Sequence, residues 1–140
     1  VVVTGLRIYV AGASTERERV ARYMGALRDA GWEITEDWCA SEASLGVEDG
    51  DLDEETARRV AMRDLDGVHR ADVFWLVAPE RPSFGACTEL GYAVCQRSTS
   101  PVGLRIIISG PCSSIFARLA DRRYPTHLDA LRALTEPVNG

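Results

Sequence analysis

A carboxylate in an early turn of a helix, just past the end of a buried strand, is placed for nucleophilic or electrostatic work. Glu89 has that setting, within Pro82-Ser83-Phe84-Gly85-Ala86-Cys87-Thr88-Glu89-Leu90-Gly91-Tyr92-Ala93. The helix dipole there favours the ionised form. An ionised carboxylate can attack an electron-poor carbon or stabilise a developing positive charge. The plain alternative is a Glu that only complements the dipole. Gly85 would let a ligand approach the backbone, and Gly91 reads as permitting tight helix packing. Asp64 is the second candidate. It lies toward the end of a predicted helix, where the dipole disfavours an acid, so it needs another reason to be there. Ligand contact or proton handling is one reason; a salt bridge with Arg63 or Arg70 is the other. Asp66 and Asp72 stand close by, and periodicity does not separate the three. Tyr9 is the third candidate. A Tyr hydroxyl in a buried strand needs a partner, and Glu89 could supply it if the two strands adjoin. Ordinary core packing is the alternative. Trp38 can stack on a flat ligand or fill the core.

These side chains need a frame. Leu6 to Ala11 reads as a buried strand ending at Gly12, with Ser14 and Thr15 offering a cap for the helix that follows. Val20, Tyr23, Met24 and Leu27 fall at helical spacing, and Gly31 marks a stop. Trp32 to Trp38 reads as a second strand. Nine acidic residues and no basic one lie between Glu36 and Ala57, so residues 39–52 read as a solvated insertion. Asp53-Glu54-Glu55 opens a helix to about His69, with Val60, Ala61, Leu65 and Val68 inward. Ala71 to Ala78 is almost wholly apolar, as a central parallel strand should be. A helix follows from about Gly85 to Gln96, then a strand from Leu104 to Ser109. Ser113–Asp121 and His127–Leu134 read as helices. Alternating strands and helices predict one α/β domain over residues 1–140. Its sheet should be mainly parallel, with helices on both faces. Ligands then bind at the carboxyl ends of the strands.

Composition narrows the classes. The chain has 140 residues, 16 Lys plus Arg against 21 Asp plus Glu, and a net charge of −5. Polymeric nucleic acid and anionic membranes are therefore not expected partners. Every basic residue is Arg, which excludes a Schiff-base Lys and a P-loop Lys. Cys39, Cys87, Cys95 and Cys112 form no C-x-x-C pair, and His69 and His127 stand apart from them. No metal site and no cofactor are expected. The cysteines read as buried or half-buried thiols in a reducing cytoplasm. No run is long enough to span a membrane, and no secretory leader is visible, so a cytoplasmic location is expected.

Three motifs in register carry a resemblance. They are Arg7-Ile8-Tyr9-Val10-Ala11-Gly12, then Arg63-Asp64-Leu65-Asp66-Gly67-Val68 with Ala71-Asp72-Val73, then Gly85 to Ala93. Over roughly residues 7–110 the chain resembles the nucleoside 2-deoxyribosyltransferase superfamily. The resemblance implies a flavodoxin-like fold and cleavage of a bond between a sugar and a nucleobase. It matches Glu89 to the nucleophile, Tyr9 to the Tyr that positions it, and Asp64 to the Asp that contacts the leaving base. It matches Gly12 to the Gly beside the sugar. It implies a nucleoside or nucleotide substrate and a homodimer or higher homo-oligomer.

Two departures shape the expected substrate. The transferases tend to carry an Asp six residues before the nucleophile; this chain has Ser83. That resembles the 2′-deoxynucleoside 5′-phosphate N-hydrolase branch, where this Ser contacts the 5′-phosphate. A hydroxyl can donate to a phosphate oxygen, whereas an Asp would repel it. Ser113 and Ser114, ahead of the next predicted helix, are expected to add donors. In the other direction, Gly12-Ala13-Ser14-Thr15-Glu16-Arg17 lacks the Gly/Arg-rich loop of those hydrolases, leaving Ser14 and a helix N-terminus as donors. The insertion at 39–52 fits neither branch and is expected to set base specificity. The first expectation is hydrolysis of a nucleoside 5′-monophosphate. Base exchange between nucleosides, and nucleotide binding without catalysis, are the alternatives.

Overall fold

The computed structural model of the chain describes residues 6–45, 52–100 and 103–137. Its centre is a five-stranded sheet, all parallel, in the order β2-β1-β3-β4-β5. The strands are β1 (Arg7–Ala11), β2 (Glu33–Ile34), β3 (Val73–Val77), β4 (Arg105–Ser109) and β5 (Arg122–Tyr124). The helices are α1 (Arg17–Asp29), α2 (Trp38–Leu45), α3 (Glu54–Arg70), α4 (Phe84–Thr99) and α5 (His127–Thr135). α1 packs with α5, and α3 packs with α4, one pair to each face of the sheet. This is the α/β arrangement that the alternating elements predict, in the flavodoxin-like form that the resemblance implies. The first motif lies on β1, the second on α3 and the third on α4.

β3 is buried at all five positions because it has strands on both sides and helices on both faces. Ile8, Tyr9, Val10, Phe74, Trp75, Ile106 and Ile108 form the centre of the core. Each such side chain contributes about 1.5–3 kcal/mol on burial. Strand order reverses between β1 and β3, since β2 lies on one side of β1 and the rest of the sheet on the other. A crevice opens outside the carboxyl ends of strands at such a reversal.

Five local expectations are corrected. The second strand is only Glu33–Ile34, and Trp38 begins α2 instead of ending a strand. Asp37 starts that helix: its Oδ1 accepts from the Ala40 N–H at 2.9 Å, while Arg28 holds the other oxygen at 2.6 Å. Part of the expected insertion at 39–52 is therefore helix, and residues 46–51 lie outside the described residues. The residue just before α1 is Glu16, which makes no side-chain cap bond; Ser14 and Thr15 sit with it in a short 3₁₀ turn. The expected helix over Ser113–Asp121 is a 3₁₀ turn, Ile115–Leu119, followed by β5. That edge strand has just three residues, two of them exposed Arg, and so carries no apolar alternation. Finally, a Cβ on Gly91 would meet open space, so tight packing is not its role. The remaining boundaries follow the sequence closely. Gly31 closes α1 with φ 99°, Asp53 caps α3, and Ser83 caps α4 through the Ala86 N–H.

Candidate active site

At the strand-order reversal lies a cleft of about 310 Å³. Gly12 and Ser14 line it from the end of β1, Trp38 from α2, Asp64 from α3, and Ser83, Gly85 and Glu89 from α4 and its cap. Seven residues singled out in the sequence thus share one cavity, although they come from four separate stretches of chain.

Tyr9 lies beneath them, fully buried in β1. Its ring stacks on Phe74 of β3, with centroids 6.0 Å apart and planes within 7°. Its hydroxyl donates to Glu89 Oε1 at 2.9 Å, a bond that spans 80 residues of sequence. Burial pushes the phenol well above its ordinary pKa, and the negative charges of Glu89, Asp64 and Glu36 push it the same way. Tyr9 therefore stays protonated and remains a donor to the carboxylate. Glu89 sits in the second turn of α4, past the cap at Ser83.

The three neighbouring Asp residues separate cleanly. Asp66 pairs with Arg70 at 2.7 Å on the surface. Asp72, at the foot of β3, accepts from the Arg7 backbone N–H at 2.9 Å and pairs with its guanidinium. Burial acts to raise the Asp72 pKa, but the Arg7 bonds and charge together hold it below the usual carboxylate range. Asp64 is the one of the three that lines the cleft. Arg63, its sequence neighbour, reaches Glu36 at 2.9 Å, and Arg70 also donates to the Thr35 carbonyl.

Trp38 is nearly buried, and its Nε1–H donates to the Val10 carbonyl at 2.7 Å, so it is both a core aromatic and a cleft wall. Gly12 leaves room for α1: a Cβ there would stand 2.8 Å from Val20 Cγ2. The Ser83 oxygen accepts from Ala86 N–H at 3.3 Å, a bond that does not use the hydroxyl proton. Ser113 and Ser114 lie elsewhere. They line a second, larger cavity of about 750 Å³, which shares Ser83 and Ala86 with the cleft. Ser114 is there because it caps the 3₁₀ turn, accepting from Phe116 N–H at 3.2 Å.

Other cleft residues were not foreseen as such. Val60, Ala61 and Leu65 were expected to face the core, but they line the cleft together with Leu52 and Ala57. Positions 57, 60, 61, 64 and 65 form a helical stripe, so the spacing was visible. It does not say whether the stripe meets the sheet or a cavity. Thr88 also lines the cleft. Among the described residues no group of three His, Cys, Asp or Glu is placed to hold a metal ion. The four cysteines are free thiols, and Cys87 and Cys95 are exposed instead of buried.

No protein-family model matches this chain, and no curated protein matches its sequence. A solved structure does. It is the CMP N-glycosidase BcmB of Clostridium botulinum, similar over 91% of this chain and 97% of that one. The TM-score is 0.55 and the identity 14%, so the likeness is one of fold. Among the described residues no helix is long and apolar enough to cross a membrane.

Proposed function

We propose that this protein cleaves the N-glycosidic bond of a nucleoside 5′-monophosphate, a 2′-deoxy one in the first instance, giving free base and sugar phosphate. The observation that carries this reading is the buried Tyr9 hydroxyl bonded to Glu89 at 2.9 Å, on the wall of a cleft that Asp64 also lines. Breaking the bond builds positive charge on the sugar ring. Glu89 attacks C1′ and forms a glycosyl ester as the C1′–N bond breaks. The electron pair leaves with the base, which takes a proton from Asp64 in its protonated form or from a water that Asp64 holds. Water then attacks C1′, its proton passes to the Asp64 side, and Glu89 is released. Tyr9 keeps one Glu89 oxygen bonded and aimed throughout. No cofactor takes part. Trp38 and the apolar stripe of α3 face the base, and Gly12, Ser14 and Gly85 border the sugar. Ser83 donates its hydroxyl proton to the 5′-phosphate. The CMP N-glycosidase similar in fold supports a nucleotide substrate and makes CMP and dCMP the first compounds to try.

We also read the chain as a cytoplasmic homodimer or higher homo-oligomer. Phe84 is 96% exposed, and Ile115 and Phe116 are exposed beside the second cavity, a surface suited to burial against another copy.

The test is a panel of nucleosides and their 5′-monophosphates, followed for free base by chromatography with and without an acceptor base. Base release from monophosphates in water alone is expected. Release only with an acceptor base would make the protein a nucleoside deoxyribosyltransferase, and binding without release would make it a nucleotide-binding module. Ser83 separates the two enzymes. Ser83→Ala should lower kcat/KM for monophosphates about ten- to hundredfold and leave nucleosides nearly unchanged, the worth of a hydrogen bond to a charged group. Ser83→Asp should be worse for monophosphates. A flat nucleotide-to-nucleoside ratio across the three proteins removes the phosphate role and favours the transferase.

A further inference from the structure

Gly67 is buried on α3, one turn beyond Asp64 and on the same helical face. A Cβ at this position would lie 2.7 Å from Glu36 Cβ, and 2.9 and 3.0 Å from Cδ2 and Cε2 of Tyr9. Its carbonyl accepts from the Thr35 hydroxyl at 2.7 Å. Three pieces of chain therefore meet on this one residue: β1 through Tyr9, the segment after β2 through Thr35 and Glu36, and α3. Two of them carry the chemistry of the cleft, Tyr9 with its bond to Glu89 and α3 with Asp64.

We propose that Gly67 is a positioning residue: by having no side chain it seats α3 directly on the Tyr9 ring, and so sets where Asp64 stands relative to the Tyr9–Glu89 pair. The inference deepens the N-glycosidase reading and rests on it. The contacts leave little choice about what would move. Tyr9 is held in a central strand, stacked on Phe74 and bonded to Glu89. Glu36 follows Thr35, whose N–H donates to the Ile8 carbonyl at 3.0 Å. A methyl group on residue 67 must then displace α3, taking Asp64 with it, or tilt the Tyr9 ring off Glu89. Either movement separates groups that must act on the same bond. A misplacement of about 1 Å at such a site costs on the order of a hundredfold in rate.

The experiment compares Gly67→Ala with Gly25→Ala. Gly25 lies in α1, where a Cβ meets nothing within 4 Å, so its variant should behave as wild type. Gly67→Ala is expected to lose about a hundredfold in kcat, with KM for the monophosphate changed far less. The same substitution in an Asp64→Asn background should cost little more, because the displaced group is already gone. Its crystal structure should show α3, and Asp64 with it, moved from β1; a broken Tyr9–Glu89 bond with α3 unmoved overturns the proposal. Near-wild-type kcat overturns the proposal, as do losses that simply multiply with those of Asp64→Asn. If Gly67→Ala does not fold, Gly67→Ala with Glu36→Gly, which deletes the nearest atom, carries the same comparison. Failure of both to fold makes Gly67 a folding residue and overturns its positioning role. If the wild type releases no base from any monophosphate, the N-glycosidase reading fails by itself. The crystal structure then decides Gly67, and an unmoved α3 overturns its role.

Discussion

Each face of the sheet buries an aromatic side chain that carries a polar handle, and the two handles end differently. On the α3/α4 face the Tyr9 hydroxyl donates to Glu89, and Glu89 opens onto the cleft. On the α1/α5 face the Trp75 Nε1–H donates to the Ser109 hydroxyl at 2.8 Å, and that hydroxyl lies 2.7 Å from His127 Nδ1. Tyr23 stacks on Trp75 and meets the His127 ring at a tilt, with centroids 5.5 and 6.2 Å away. Gly110, at φ +82°, leaves room for the imidazole: a Cβ there would sit 2.6 Å from His127 Cε1. His127 is thus wedged, and it lines neither the cleft nor the second cavity. A buried polar group satisfied by partners within the protein stabilises the fold. One that ends in a charged group facing a cavity is available for chemistry. The physics of burial is the same on both faces, and both chains end on a half-buried group; one is a carboxylate lining the cleft, the other an imidazole outside both cavities.

Breaking the Tyr9 side should change turnover and leave folding nearly alone. Glu89→Gln is expected to remove nearly all base release, a loss of several powers of ten, as for other covalent nucleophiles. Thermal unfolding should change little, because Gln can still accept from Tyr9. A tenth of wild-type activity remaining would reduce Glu89 to a dipole-complementing residue. Tyr9→Phe should act less strongly, lowering kcat about ten- to hundredfold while KM holds, since the carboxylate stays and only its orienting bond is lost. Unchanged kinetics would make Tyr9 a core residue like Phe74.

Breaking the Trp75 side should do the reverse. Ser109→Ala leaves a fully buried Trp75 N–H without its acceptor, which costs about 1–3 kcal/mol in stability. Base release below the unfolding temperature should stay at wild-type level. Denaturant unfolding and kinetics on the same preparation check both halves. Lost turnover with retained stability would mean that this network reaches the cleft.

Periodicity served the Tyr9 side better than the other. The apolar runs of β1, β3 and β4 and the acidic opening Asp53-Glu54-Glu55 are local signals, so the elements that hold Tyr9, Asp64 and Glu89 were legible from their residues. That three residues so far apart in sequence converge came from motifs in register, not from any periodicity. What stayed hidden depended on neighbours. Trp38 reads as the end of a strand because its preference for helix is set by Asp37, a cap that looks like one more acid in an acidic stretch. β5 is hidden because an exposed three-residue strand buries too little to leave a pattern. The Trp75–Ser109–His127 chain joins β3, β4 and α5, and nothing in the order of residues announces it.

The smallest expected effect is on pH, and it belongs to the Trp75–Ser109–His127 chain. Burial lowers the His127 pKa below 6.5, and the positive charge of Arg19 lowers it further. Arg19 is itself paired with Glu16, so its screening limits the size of that second contribution. The neutral ring suits this site: while the Ser109 oxygen accepts from Trp75, a neutral Nδ1 is able to accept the Ser109 hydroxyl proton. The unfolded chain takes up a proton near pH 6.5, while the folded chain resists until lower pH. The contribution of His127 is therefore fully present above pH 6.5 and is lost as the pH falls through that value toward the folded pKa. His127→Asn keeps a side chain able to bond Ser109 but cannot titrate. The difference in Tm between wild type and His127→Asn should then narrow by a small amount from pH 7.5 to pH 5.5. A difference that widened over this range would mean that the fold binds the charged ring and that the Ser109 proton points elsewhere.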